Sequence, residues 1–148
     1  MPFKLLLLGD GVRSEFLQQK STELGIHDQV IWVGFHADAK KYISVFDVGV
    51  LFSYAVEAFL MAILEMLSMG KPVVVADISG TSEMVFDGKN GYLIAPRNVE
   101  SLADKLELLL LDKGLRRRFS TEARQTILEM YTKNAMVEKN KQVLAQLL

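Results

Sequence analysis

Two glutamates, Glu57 and Glu65, stand eight positions apart in the stretch SYAVEAFLMAILEMLSMGKPVVVADISGTSEMV. If a helix starts just after Glu57, that spacing puts both carboxylates near one face, about two turns apart. The residues around them, Phe59, Met61, Ala62, Ile63, Leu64, Met66 and Leu67, are apolar. A helix running to Met69 is therefore expected to lie buried against a sheet. Two readings of the pair stay open. Glu57 can cap the helix, where a negative charge is worth about 0.3–1 kcal/mol, with Glu65 solvated or ion-paired. Alternatively the pair grips a polyhydroxylated ligand, since an ionised carboxylate only accepts hydrogen bonds and suits sugar and ribose hydroxyls.

The elements needed to position such a pair follow in order. Lys4 to Leu8 is an apolar run closed by Gly9-Asp10-Gly11, which reads as a buried parallel strand meeting a tight turn. A helix is expected from an N-cap at Ser14 to Leu24, stopped by Gly25. Further strands are read at Gln29 to Gly34, Asp47 to Ser53, Pro72 to Asp77 and Tyr92 to Ala95. A short helix from Ala37 to Phe46 should turn Tyr42, Val45 and Phe46 inward. Ser82 to Phe86 reads as a helical turn before the turn words Asp87-Gly88 and Asn90-Gly91. Three terminal helices are expected at Val99 to Leu111, Leu115 to Tyr131 and Thr132 to Leu148. Alternating strands and helices predict an α/β fold, a parallel doubly wound sheet with C-terminal helices, as one domain over 1–148.

In open α/β sheets ligands bind beyond the carboxyl ends of the strands. Four loops are candidates: Gly9 to Arg13, Gly34-Phe35-His36, Ser53 to Glu57, and Ser79 to Glu83. Arg13 either approaches a ligand phosphate or is solvated, and Phe35 and His36 either flank a ligand or are ordinary loop residues.

Composition narrows the field. The net charge of −1 and a hydrophobic share of 50% show no electrostatic surface for nucleic acid. Arg116-Arg117-Arg118 reads as a solvated helix face. Without cysteine the chain has no disulfide scaffold, thiolate site or Cys nucleophile, and two histidines do not make a multi-His metal site. No run approaches the roughly 20 apolar residues of a membrane span, and Leu5 to Leu8 is too short for a signal peptide. A soluble cytoplasmic protein is expected. Nothing suggests a Ser-His-Asp triad, a P-loop or a zinc site.

Ser53, Glu57, Glu65, Gly70, Lys71-Pro72-Val73-Val74, Gly80, Glu83, Asp87-Gly88, Asn90-Gly91 and Leu93 together resemble the donor-binding half of retaining glycosyltransferases of the GT-B fold, the group 1 family. The resemblance implies a sugar nucleotide, such as a UDP- or GDP-hexose, at the rim. The carboxylate at Glu65 would meet the ribose hydroxyls and that at Glu57 the donor sugar. Backbone amides at the start of their helix, residues Ala58, Phe59 and Leu60, would face the diphosphate. Gly11, Arg13, Ser53 and Gly80 would line the pocket and the base would rest near Gly34 and Phe35. It also implies transfer without a protein-bound metal or cofactor, because basic groups and the helix end neutralise the leaving diphosphate.

The sequence departs from that family in three ways. Glu-Gly-Phe-Gly is replaced by Glu57-Ala58-Phe59-Leu60, whose side chains project where glycines allow close backbone approach. Ser79-Gly80 replaces paired glycines. The strand and helix that open the family's donor domain, and the acceptor-binding lobe, find no counterpart, so little or no turnover is expected alone. Removing that first strand from the order 3-2-1-4-5-6 leaves five strands, expected to close as the flavodoxin-like order 2-1-3-4-5. Failing closure, exposed strand edges would favour a homodimer. Two other readings stand beside this one: a stand-alone or engineered α/β scaffold with a vestigial site, and a flavodoxin-like cofactor-binding domain.

Overall fold

The computed structural model describes residues 3–53, 61–78 and 80–146. The chain divides into two units, residues 1–42 and 43–148.

In the first unit, β1 (Leu5–Leu8) and β2 (Val30–Gly34) pair in parallel, with Leu5 opposite Val30 and a register shift between Leu7 and Leu8. Parallel pairing requires a crossover, which α1 (Ser14–Glu23) provides. Ser14 lies inside this helix rather than capping it: Arg13 occupies the N-cap, and the Ser14 hydroxyl donates instead to Asp10. Gly25, at φ +68°, stops the helix as its sequence position suggested.

The second unit opens with α2 (Lys40–Ile43), a helix that spans the unit boundary and has a single turn where ten residues were expected. Its inward residue is Ile43, whereas Val45 is 69% exposed, correcting the expected inward face. Strands β3 (Gly49–Leu51), β4 (Val73–Ala76) and β5 (Gly91–Ile94) form a parallel sheet in the order β3-β4-β5. Among the described residues the strands form two parallel sheets, β1-β2 and β3-β4-β5.

Central β4 is a run of three valines and an alanine, each at most 1% exposed, as a strand covered on both faces demands. On one face Val74 joins Tyr92, Ile94, Leu109 and Phe119 in the core. These come from β5, from α5 (Val99–Leu111) and from α6 (Lys113–Met130). On the other, α3 (Met61–Ser68) brings Met66 over Gly49 and Val73. The helix α4 (Thr81–Met84) follows β4. The last helix, α7 (Lys133–Ala145), starts on an N-cap at Thr132, whose hydroxyl accepts from the Ala135 amide. Gly114 falls within α6 and does not precede it, because Asp112 caps that helix through the Leu115 amide.

Candidate functional site

Four of the candidate residues lie at the carboxyl end of the β1-β2 sheet. The Gly9 amide donates to the Gly34 carbonyl at 2.8 Å, joining the two loops. Both glycines have positive φ, +125° and +75°, which releases the chain from its strand direction at the rim. Beyond Gly9, Asp10 closes a compact turn. Its Oδ1 accepts from the Gly11 amide at 2.7 Å and from the Ser14 hydroxyl at 2.7 Å. Chiefly the Ser14 hydroxyl, and then the Gly11 amide, hold the Asp10 carboxyl below its ordinary pKa. Gly11 and Arg13 are exposed on this turn.

On the neighbouring loop Phe35 is 78% exposed. His36 is held in place: its Nε2 lies 3.2 Å from the Val33 carbonyl and 3.0 Å from the Tyr42 hydroxyl, and the two rings are 4.6 Å apart. A flat apolar ring standing in solvent between a glycine of positive φ and a fixed histidine can stack on a planar ligand.

In the second unit Ser53 and Gly80 follow the adjacent parallel strands β3 and β4, so both leave the sheet at its carboxyl end. Gly80 takes φ +87° at the N-cap of α4. The loop before it is clasped by Thr81, whose hydroxyl donates to the Ile78 carbonyl at 2.6 Å and accepts from the Ile78 amide at 3.1 Å. The Asp77 amide donates to the Ile94 carbonyl at 2.7 Å, holding the loop's start against β5. Tyr131 donates to the Glu83 carbonyl, tying α4 to the end of α6. Burial, and then the Glu83 carboxylate, push the Tyr131 phenol above its ordinary pKa.

Glu65 is half-buried in α3, the element expected to carry it. Glu57, Ala58, Phe59 and Leu60 lie outside the described residues, as does Ser79. Among the described residues no group of three or more His, Asp or Glu side chains converges.

Three polar features were not read from the sequence. Asn90, which looked like part of a turn word, is fully buried and bonds to three partners. Arg116, grouped with Arg117 and Arg118 as solvated, instead sends Nη1 to the Leu109 and Leu110 carbonyls at 2.7 Å each and closes the end of α5. Ser120 and Arg124 reach the end of α3. None of the three had a local signal beyond the Asn90-Gly91 turn word.

Comparison with known proteins agrees with this architecture. Residues 1–126 match the profile of the family described as Glycosyl transferases group 1. The lipopolysaccharide core biosynthesis glycosyltransferase LpsE of Rhizobium meliloti is 30% identical over 95% of this chain and 41% of its own length. N-acetyl-alpha-D-glucosaminyl L-malate synthase of Bacillus anthracis is 29% identical over 92% of this chain and 35% of its own. The crystal structure of HepE from Anabaena in complex with UDP is similar with a TM-score of 0.89 at 26% identity, over 97% of this chain and 41% of that one. The chain thus spans about two-fifths of the proteins it matches. Its α/β fold with parallel sheets and C-terminal helices is that of the Rossmann-like domains of GT-B glycosyltransferases. With the profile covering most of its residues, the chain belongs to the glycosyl transferases group 1 family.

Proposed function

We propose that this chain is the sugar-nucleotide-binding half of a retaining glycosyltransferase, with UDP-sugars as the donor class. The observation that carries the reading is the likeness to HepE, whose structures hold UDP and UDP-glucose. In this reading Glu65 accepts hydrogen bonds from the ribose hydroxyls and Glu57 meets the donor sugar. Gly11, Arg13, Ser53, Gly80 and residues 58–60 surround the diphosphate, and the exposed Phe35 ring packs on the base. The two units together make one donor domain over 1–148. Calorimetry is then expected to show a single unfolding transition.

Turnover also needs an acceptor lobe to bring the second substrate within reach, so the chain alone is expected to bind donor and not transfer it. Among the described residues no helix is long and apolar enough to cross a membrane. A second copy is a further candidate partner. If the sheet does not close, exposed inner strand edges are where two copies would pair. Light scattering reads a mass of twice 16.6 kDa if they do.

Titration calorimetry with UDP, GDP and FMN tests the central claim. UDP is expected to bind, about tenfold or more weakly in Glu65→Ala, because a hydrogen bond to a charged group is lost. Binding of FMN alone overturns the reading in favour of a flavodoxin-like domain, and binding of none leaves the scaffold with a vestigial site.

A further inference from the structure

The helix that carries Glu65 ends in a break. Gly70 turns the chain at φ +66°, and Pro72 has no N–H to give to the Ser68 carbonyl four residues earlier. The Ser68 carbonyl is thus left without an intrahelical donor, and the Gly70 carbonyl lies just beyond the helix end. Helix α6 supplies a donor to each. Arg124 Nη1 donates to the Ser68 carbonyl at 2.6 Å, and the Ser120 hydroxyl to the Gly70 carbonyl at 2.5 Å. The approach is close: a Cβ on Gly70 would stand 3.1 Å from Ser120 Oγ.

Glu65 is coupled to these anchors through its own backbone. Its carbonyl accepts from the Ser68 hydroxyl at 2.8 Å and from the Met69 amide at 3.3 Å. The anchored turn and the carboxylate are separated by about one helical turn, roughly 5 Å, and an intact helix transmits a displacement along its axis. Ile63, Met66 and Leu67 of α3 are buried, and α6 packs against α3 as well as reaching its end, so apolar packing and the two anchors together hold the helix. Apolar packing tolerates sliding along an axis more readily than two directed hydrogen bonds do.

We propose that Ser120 and Arg124 are positioning residues for Glu65: from α6 they set how far α3 projects along its axis, and so the reach of the Glu65 carboxylate to the hydroxyls of a bound ribose. The inference rests on the nucleotide-binding reading above. It assigns a role to two side chains fifty and fifty-six positions beyond the carbonyls they hold.

The test compares the affinity of UDP with that of 2′,3′-dideoxy-UDP, since their ratio isolates the hydroxyl contact. In the unaltered protein UDP should bind about tenfold or more tightly, and Glu65→Ala should bring the ratio near one. The double variant Ser120→Ala, Arg124→Ala should reduce the ratio at least about threefold while leaving the dideoxy affinity unchanged. General loosening of the fold would lower both affinities together and keep the ratio. Arg124→Lys, which retains a cationic donor, should preserve it. A full ratio in the folded double variant overturns the positioning role and leaves the nucleotide reading intact. A ratio of one in an unaltered protein that still binds UDP removes the ribose contact and the inference with it, and no binding of UDP overturns the nucleotide reading as well. Arg124 is exposed, so Arg124→Ala alone decides the question if the double variant does not fold.

Discussion

Asn90 donates from Nδ2 to the Thr126 hydroxyl at 3.1 Å, a buried bond that joins the turn before β5 to the middle of α6. Asn90 also donates to the Met84 carbonyl at 3.0 Å and accepts from the Phe86 amide at 2.8 Å. Asn90→Ala removes three hydrogen bonds at a fully buried position and should cost about 2–4 kcal/mol in urea unfolding. Thr126→Val removes one acceptor and should cost about 1 kcal/mol. If the pair is coupled, the double variant costs less than the sum. Additive costs would show that the two side chains act separately.

Gly91 and Gly49 both face Val73, yet they should respond differently to alanine. At Gly91 a Cβ would lie 2.5 Å from the Val73 carbonyl oxygen, a backbone atom of the paired strand. At Gly49 the nearest atom is Met66 Sδ at 2.3 Å, the end of a flexible side chain. Gly49→Ala is expected to cost about 1–3 kcal/mol and Gly91→Ala more. Equal losses of stability on denaturant titration would contradict this ranking.

Lys71 fastens the turn after α3 to the segment before β3, donating from Nζ to the Ser44 carbonyl at 2.7 Å and the Phe46 carbonyl at 2.8 Å. Lys71→Met keeps the apolar stem and removes the donor. A loss of about 1–2 kcal/mol is expected by thermal denaturation, below the usual worth of charged hydrogen bonds because the site is partly solvated. An unchanged melting temperature would show that water replaces the amine at no cost.

The Asp10 carboxyl is held below its ordinary pKa by the Ser14 hydroxyl and then the Gly11 amide. A carboxylate with a depressed folded-state pKa contributes stability above its unfolded value, about 3.9. That contribution disappears as pH falls through the folded value. NMR titration of Asp10 should therefore give a midpoint below the unfolded value, and Ser14→Ala should raise it. A midpoint unmoved by that substitution would place the cause elsewhere.

Much of the secondary structure was legible because the signals are local. The apolar runs at Leu5 to Leu8 and Val73 to Ala76 both form strands, but only the second is buried throughout; in the first Leu5 is exposed and the rest half-buried, which corrects the expected burial, while α5 spans the expected Val99–Leu111. Ends were less legible where two residues compete for one role. Ser14 is a good cap by type, but Asp10 lies four positions earlier and takes its hydroxyl. Val45 has an apolar side chain, yet α2 stops at Ile43 before it can turn inward.

By itself the sequence determined the alternation of strands and helices, the family, and the four loops from which a site can be drawn, since each depends on neighbours within a few residues. Tertiary structure decided what those loops rest on. Arg116 closing α5, Asn90 reaching Thr126, and Ser120 and Arg124 holding α3 all join groups far apart in the chain. A helix end states in its own sequence that its last carbonyls lack donors. Which distant side chain supplies them depends on how the helices pack.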